Sequence, residues 1–155
     1  MKSIPSIIVP IIENEEFTSK NLFNFLKGKR VIIFGVPGAF TPTCSEKHLP
    51  GFIQQYTNIL NKGVEDIFCF SVNDPYVMKS WLSSFEDSKK IKGIADGNTE
   101  ITKILNLHAD KSENFMGVRC LRFAMEVNDS IIVNMYIEAP GKIGISSAEN
   151  ILKTL

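Results

Sequence analysis

The chain has 155 residues, 44% of them hydrophobic and 22% charged, which fits one ordinary globular domain spanning residues 1–155. Seventeen basic residues balance seventeen acidic ones, which removes the electrostatic case for nucleic acid or an anionic membrane as the main partner. No uninterrupted run of about 18 apolar residues occurs, so no transmembrane helix is predicted.

The first clearly patterned segment is a continuous apolar run from Val31 to Val36, which is typical of a strand buried on both faces. A second run of this kind covers Ile67 to Val72. Between the two runs, apolar residues recur at helical spacing from Leu49 to Leu60. Pro50 should bend this helix near its first turns, because proline cannot donate a backbone hydrogen bond.

A second helix is predicted after Asp74 and Pro75, because aspartate is a good N-cap and proline suits the first helical position. A shorter strand, Ile91 to Ala95, follows, and another helix carries Ile101.

Two strands are predicted at residues 119–127 and 131–138, with a tight hairpin turn at Asn128-Asp129. A last helix is predicted from about Ser146 to Lys153. This order of elements predicts an α/β protein in which a mixed central sheet carries helices on both faces. Thioredoxin-like folds have the same order.

The three cysteines, Cys44, Cys69 and Cys120, cannot form a disulfide framework, because an odd number leaves one thiol over. Free thiols persist in reducing compartments, so a cytoplasmic location is expected. Pro5 and Pro10 interrupt the apolar N-terminal stretch, and no small-residue cleavage site follows, which argues against a secretory signal. An organelle is the alternative if a targeting segment has been removed.

The segment with the most chemical information runs from residue 37 to residue 45, between a buried strand and a helix, where α/β folds place their ligands. Thr41 can be the N-cap, Pro42 the first helical residue and Cys44 the third. The free N–H groups and positive dipole end of a helix favour a thiolate over a thiol. The alternative is a small buried side chain that only fills space.

The chain from Phe34 to Phe52 reads FGVPGAFTPTCSEKHLPGF and closely resembles the active-site segment of the peroxiredoxins, in their type II or peroxiredoxin-5-like branch. The P-x-x-x-T-x-x-C pattern of that family falls on Pro37, Thr41 and Cys44. Further segments resemble the same branch: SVNDPYVMKSW (71–81), ADGN (95–98) and GVRCLRF (117–123). The resemblance extends over nearly the whole chain.

The resemblance implies a thiol peroxidase that reduces hydrogen peroxide and small alkyl hydroperoxides with no metal or haem cofactor. It assigns Cys44 as the peroxidatic cysteine and Arg119 as the pocket arginine, which would hold the thiolate and donate to the peroxide oxygens. The Thr41 hydroxyl and backbone N–H groups near Gly38 and Cys44 would bind the peroxide and stabilise developing charge. Pro37 would shield the sulfur. A homodimer packed through the loops around the site is also implied.

Other roles remain open for several of these residues. Thr41 could be only a helix cap, and Arg119 only a surface cation, in which case Arg122 is the next candidate. His48 follows Cys44 by four residues, a spacing that could bind a metal or supply a base. A structural role for His48, with hydrogen bonds made locally or at a dimer interface, is the preferred interpretation.

The reductant is the harder question. Peroxiredoxin-5-like enzymes of the intramolecular kind carry a resolving cysteine near the C-terminus, whereas residues 141–147 read GKIGISS and contain none. We therefore expect an external thiol to regenerate Cys44, with glutathione and glutaredoxin ahead of thioredoxin.

Two alternatives differ from this expectation. Cys69 could act as the resolver with thioredoxin as donor, although its place on a predicted core strand favours a packing role. Cys120 is not an obvious resolver, and its side chain should face away from that of Arg119. In a different class of function, the chain would be a redox-sensing or chaperone-like binding protein that passes the oxidation of Cys44 to partners.

Overall fold

The computed structural model describes residues 2–87 and 90–155, and within them nine strands form two sheets. The strands are β1 (Ile8–Glu13), β2 (Glu16–Asn21), β3 (Arg30–Gly35), β4 (Asp66–Ser71), β5 (Ile91–Ala95), β6 (His108–Asp110), β7 (Val118–Cys120), β8 (Phe123–Asn128) and β9 (Ile131–Ile137). The helices are α1 (Leu22–Leu26), α2 (Leu49–Leu60), α3 (Pro75–Ser83), α4 (Glu100–Ile104) and α5 (Ala148–Thr154), with a π-helix at Cys44–His48 and a 3-10 turn at Ser112–Asn114. Among these described residues, no helix combines the length and apolar character needed to cross a bilayer.

Seven strands form one mixed sheet in the order β2-β1-β5-β4-β3-β8-β9, and β6 and β7 form a separate two-stranded ribbon. The strands β3, β4 and β5 are parallel, with β8 and β1 antiparallel to them on either side. Alternate residues of β3 enter two cores: Ile33 packs with α1 and α4, whereas Ile32 and Phe34 pack with α2, α3 and α5. The predicted mixed sheet with helices on both faces is therefore confirmed.

Most of the predicted element boundaries agree closely with the structure. The strand β5 has the predicted bounds, and β3 and β4 each begin and end one residue earlier than predicted. Asp74 is the N-cap of α3, as expected, since its side chain accepts from the backbone N–H of Val77 at 2.9 Å. The last helix begins later than predicted because Ser147 is its N-cap and accepts from the N–H of Asn150.

The first part of the predicted strand over residues 119–127 is wrong, because the chain changes sheets within it. The strand β7 pairs with β6 in the ribbon, whereas β8 begins at Phe123 and pairs with β3. Leu121, between them, donates its N–H to the carbonyl of Leu107, and the carbonyl of Arg122 accepts from the N–H of Glu138. Arg122 therefore lies at the joint between the two sheets.

Two hairpin turns depart from the sequence-based expectation. The turn between β8 and β9 is centred on Asp129 and Ser130, one residue later than predicted, since both have positive φ angles of 51° and 61°. The hairpin of β1 and β2 was not predicted. Its turn residues, Asn14 and Glu15, also have positive φ angles, of 53° and 66°, without the glycine that usually marks such a turn.

The close approach of β3 and β8 explains the glycine at the end of β3. Gly35 pairs with Phe123, and an added Cβ at Gly35 would overlap the Phe123 ring. The missing side chain lets this ring lie directly against the strand end from which the loop to Cys44 departs. The residue before Phe123 is Arg122, so this contact brings Arg122 close to that loop.

Candidate active site

Cys44 lies at the start of a helical segment, as the sequence predicts. The segment begins at Pro42, so Cys44 is its third residue, and the backbone carbonyl of Thr41 accepts from the N–H of Ser45 at 2.9 Å. The Thr41 hydroxyl does not cap the helix, however. It donates to the carbonyl of Gly38 at 2.6 Å and so closes the loop on itself.

The helix is a π-helix from Cys44 to His48 before it continues as α2. The N–H of Leu49 donates to the carbonyl of Cys44, five residues earlier, which widens the turn. Pro50 is at the second position of α2 and has no N–H to donate. Both Cys44 and His48 are buried in this arrangement. Single π-turns of this kind are frequent at functional sites.

Side chains from β4 and α3 hold the loop and the helix start in place. The Asn73 side-chain oxygen accepts from the N–H of Ala39 at 3.1 Å and from the hydroxyl of Ser71 at 2.6 Å. The indole N–H of Trp81 donates to the hydroxyl of Ser45 at 3.0 Å. The residues on both sides of Cys44 are therefore anchored to buried elements of the sheet.

The guanidinium that contacts the Cys44 sulfur is that of Arg122. Its Nη2 donates to Sγ at 3.1 Å, and the Cys44 side chain is 0% exposed. A permanent positive charge beside a buried sulfur stabilises the thiolate, and hydrogen bonds to a charged acceptor are stronger than neutral ones.

The expected contact between Arg119 and the Cys44 sulfur is wrong. The Nε of Arg119 donates to the carbonyl of Met116 at 2.8 Å, and Nη1 donates to the carbonyl of Pro37 at 3.3 Å. The physical reason is the change of sheets, because Arg119 is on the ribbon strand β7 while Arg122 follows the bend. Arg119 therefore binds the loop at Pro37, whereas Arg122 contacts the Cys44 sulfur.

A cavity of about 340 Å³ opens beside this pair. Pro37, Thr41 and Arg122 line it, with Lys111 and Lys142 among its other residues. Arg122 lines the cavity and also donates to Sγ, whereas Cys44 is not among the lining residues. A cavity of this size accepts hydrogen peroxide or a small organic hydroperoxide.

Gly38 lies in the loop before the helix start, and its carbonyl accepts from the hydroxyl and the N–H of Thr41. A Cβ at Gly38 would lie 3.0 Å from Nη1 of Arg119 and 3.2 Å from a methyl carbon of Thr41. This glycine therefore allows the loop to pack closely beneath Arg119.

The other two cysteines are sealed in the core. Cys69 is in the middle of β4, paired with Phe34 and Gly93, and burial raises the pKa of its thiol well above the usual range. Cys120 donates its S–H to the carbonyl of Val36 at 3.1 Å, and burial raises its pKa to about 12. Both side chains are 0% exposed and stay protonated at neutral pH.

His48 is the group whose connections the sequence did not reveal. Its side chain is 1% exposed, with Nδ1 2.9 Å from Nη1 of Arg122 and Nε2 2.9 Å from the carbonyl oxygen of Ser146. Burial lowers its pKa from 6.5 to about 4, against the opposing effect of the Ser146 carbonyl. The ring is therefore neutral at pH 7. Within the described part of the chain, no three potential metal-binding side chains cluster.

A mixed sheet, a cysteine at a helix start held by an arginine, and an adjoining cavity define a thiol-based oxidoreductase. The family model described as Redoxin matches residues 2–152. Peroxiredoxin-2B of Arabidopsis thaliana is 46% identical over 143 residues, 92% of this chain and 88% of the relative. Peroxiredoxin-2C of Oryza sativa subsp. japonica is 50% identical over 128 residues, 83% of this chain and 79% of the relative.

Solved structures agree with the sequence relatives. Reduced Prx3 of Vibrio vulnificus in complex with hydrogen peroxide has a TM-score of 0.92 and 37% identity, with 99% of this chain and 96% of that chain covered. The Plasmodium falciparum antioxidant protein, a 1-Cys peroxiredoxin, has a TM-score of 0.91 and 36% identity, with 99% and 95% covered. The chain belongs to the Redoxin family and is a thioredoxin-like peroxiredoxin, an enzyme that reduces peroxides with thiols.

The low pKa of His48 leads to a prediction about stability and pH. The unfolded chain protonates His48 near its ordinary pKa of 6.5, whereas the folded ring stays neutral down to about 4. The contribution of His48 to stability is thus present above pH 6.5 and is lost as the pH falls toward 4. Over about two pH units the loss is roughly 2–3 kcal/mol.

Urea unfolding of the wild type and of the His48→Gln variant at about pH 7 and pH 4.5 measures this difference. The variant has no titrating ring at this position, so its free energy of unfolding should decrease less over the same interval. Equal decreases in the two proteins would contradict the prediction.

Proposed function

We propose that this peroxiredoxin works by a one-cysteine cycle in which Cys44 is the redox-active thiol and glutathione with glutaredoxin regenerates it. The observation that carries the proposal is the contrast among the three thiols. Only the Cys44 sulfur has a cationic hydrogen-bond donor, Arg122 Nη2 at 3.1 Å, whereas Cys69 and Cys120 are buried and protonated.

In the first step the Cys44 thiolate attacks one peroxide oxygen. A sulfur–oxygen bond forms, the oxygen–oxygen bond breaks, and the leaving oxygen takes a proton and departs as water or an alcohol. The sulfur is oxidised to sulfenic acid, and the peroxide is reduced. Arg122, which faces both the sulfur and the cavity, stabilises the negative charge that spreads over the breaking bond.

Thr41 and Pro37 support this step from the wall of the cavity. The Thr41 hydroxyl donates its single hydrogen to the carbonyl of Gly38, so the lone pairs of its oxygen can accept a hydrogen bond from the peroxide. Pro37 lines the same cavity, and its carbonyl is held by Arg119. These contacts orient the peroxide with one oxygen toward Cys44.

In the second step an external thiol condenses with the sulfenic acid. Glutathione forms a disulfide with Cys44, and the sulfenic oxygen leaves as water. A glutaredoxin thiolate then attacks the glutathione sulfur and releases the Cys44 thiolate. The lining of the cavity supports glutathione as the external thiol, because Lys111 and Lys142 offer positive charges to the carboxylates of the tripeptide.

We further propose that the enzyme is a homodimer formed through the face around the active site. Phe115 is 99% exposed, and Phe40 and Val118 are exposed nearby. The segments that carry them touch, since Arg119 donates to the carbonyl of Pro37. Exposed apolar groups of this kind favour association.

The assignment of Arg122 is tested by comparing Arg122→Met with Arg119→Met. Loss of the Arg122 donor should slow the reaction of the reduced enzyme with hydrogen peroxide by roughly a hundred- to a thousandfold. Arg119→Met should lose much less of the rate, because this side chain holds only the loop. Stopped-flow kinetics measure the rate constants of both variants. A lower rate for Arg119→Met than for Arg122→Met would reverse the assignment.

The reductant is tested in coupled peroxidase assays with either glutathione plus glutaredoxin or thioredoxin plus its reductase. Turnover should be faster with the glutathione system, and mass spectrometry should trap a Cys44–glutathione disulfide. Cys44→Ser should be inactive, whereas Cys69→Ser and Cys120→Ser should keep most of the activity.

Efficient turnover with thioredoxin alone, accompanied by a Cys44–Cys69 disulfide, would establish the two-cysteine alternative instead. Slow turnover with both systems, accompanied by stable mixed disulfides with proteins, would favour a redox sensor.

The dimer is tested by size-exclusion chromatography with light scattering. The wild type should have the mass of two chains, and Phe115→Ser should have the mass of one. Ile104→Ser is the matched control, since Ile104 is 56% exposed on α4 and should leave the dimer intact. A monomeric wild type, or a dimeric Phe115 variant, would count against the proposed interface.

A further inference from the structure

A chain of three contacts, two part-buried and one buried, leads from the Cys44 sulfur to the start of α5. Arg122 Nη2 donates to Sγ at 3.1 Å, Arg122 Nη1 lies 2.9 Å from Nδ1 of His48, and Nε2 of His48 lies 2.9 Å from the carbonyl oxygen of Ser146. His48 and Ser146 are 98 residues apart in sequence. The peroxide chemistry described above does not use either of them.

The partners of His48 determine where its proton lies. A carbonyl oxygen can only accept a hydrogen bond, so Nε2, which faces Ser146, carries the hydrogen. A neutral ring then has a lone pair on Nδ1, and Arg122, which can only donate, supplies its Nη1–H there. The pKa of about 4 is consistent with a neutral ring. One tautomer therefore satisfies both contacts.

The C-terminal segment keeps the Ser146 carbonyl in position. One oxygen of the Glu138 carboxylate accepts from the N–H of Gly144 and from the N–H and hydroxyl of Ser146. These bonds hold the pKa of Glu138 below its usual range, despite the opposing effect of burial. Glu138 also lines the cavity with Arg122, but that oxygen is already committed to the backbone. The guanidinium of Arg122 contacts Cys44 and His48.

We infer that His48 is a positioning residue for the peroxidase reaction, which holds Nη1 of Arg122 and thereby directs Nη2 at the Cys44 sulfur. The guanidinium is planar and rigid, so fixing one terminal nitrogen fixes the direction of the other. The ring itself packs against the stacked pair of Phe34 and Phe52, with centroids 5.0 Å from Phe34 and 5.6 Å from Phe52. The inference rests on the proposed role of Arg122.

Two conservative variants separate the two hydrogen bonds of His48. In His48→Asn, the amide oxygen occupies nearly the place of Nδ1 and can still accept from Arg122. In His48→Gln, the amide nitrogen occupies nearly the place of Nε2 and can still donate to Ser146. A role in stability alone does not favour Asn over Gln, whereas a role in positioning Arg122 does.

The measurement is the second-order rate constant of each reduced variant with hydrogen peroxide, alongside its free energy of unfolding in urea. His48→Gln should lose about tenfold or more, part of the hundred- to thousandfold loss expected when the donor itself is removed. His48→Asn should remain within a few-fold of the wild type. In an Arg122→Met background, His48→Gln should cause no further loss.

Each other outcome has a definite meaning. Equal losses in the Asn and Gln variants, or losses that follow stability, would overturn the inference. A slow Arg122→Met variant with two fast His48 variants would overturn it while leaving the proposed function intact. A fast Arg122→Met variant would show that the proposed role of Arg122 is wrong, and the inference would fall with it.

A measurement that needs no change at His48 checks the same point. The chain has two histidines, so in His108→Gln the only imidazole is that of His48. Nitrogen NMR of this variant at neutral pH should show a protonated Nε2 and an unprotonated Nδ1. A protonated Nδ1 would overturn the inference, because it could not accept from Arg122.

Discussion

A guanidinium and a sulfur meet in the interior of this protein, where Arg122 Nη2 lies 3.1 Å from Cys44 Sγ and the cysteine has no exposed surface. A buried thiolate without a nearby positive charge would be strongly destabilised, and the half-buried guanidinium of Arg122 needs acceptors for its donors. The two groups satisfy one another. The rest of the site brings them together, since the β3 loop and the π-helix carry the cysteine, and the joint between ribbon and sheet carries the arginine.

The same packing keeps the other two thiols buried and protonated. Cys69 and Cys120 have pKa values raised by burial, and among residues 2–87 and 90–155 no cationic side chain lies at hydrogen-bond distance from either sulfur. Cys44, whose sulfur has a cationic hydrogen-bond donor, is the nucleophile in the proposed cycle. The cavity lined by Arg122 is the place where we propose that the peroxide binds.

Much of the fold and part of the site could be predicted from the sequence, because they depend on local pattern. The apolar runs of β3 and β4 and the Asp74-Pro75 helix start are local features, and so is the place of Cys44 near its helix start. The choice between Arg119 and Arg122 is not local, because it depends on where the chain leaves one sheet for another. The family resemblance assigned the pocket role to Arg119, whereas the bend between β7 and β8 brings Arg122 to the sulfur.

The partners of His48 could not be predicted from the sequence either, since they come from segments 74 and 98 residues away.

The measurement that tests the proposed one-cysteine site most directly is the intact mass of the reduced protein after one equivalent of hydrogen peroxide, with no thiol added. The mass should rise by one oxygen atom, carried by Cys44 as sulfenic acid. A loss of two hydrogen atoms instead would mean an internal disulfide, and would contradict a site with a single redox-active thiol.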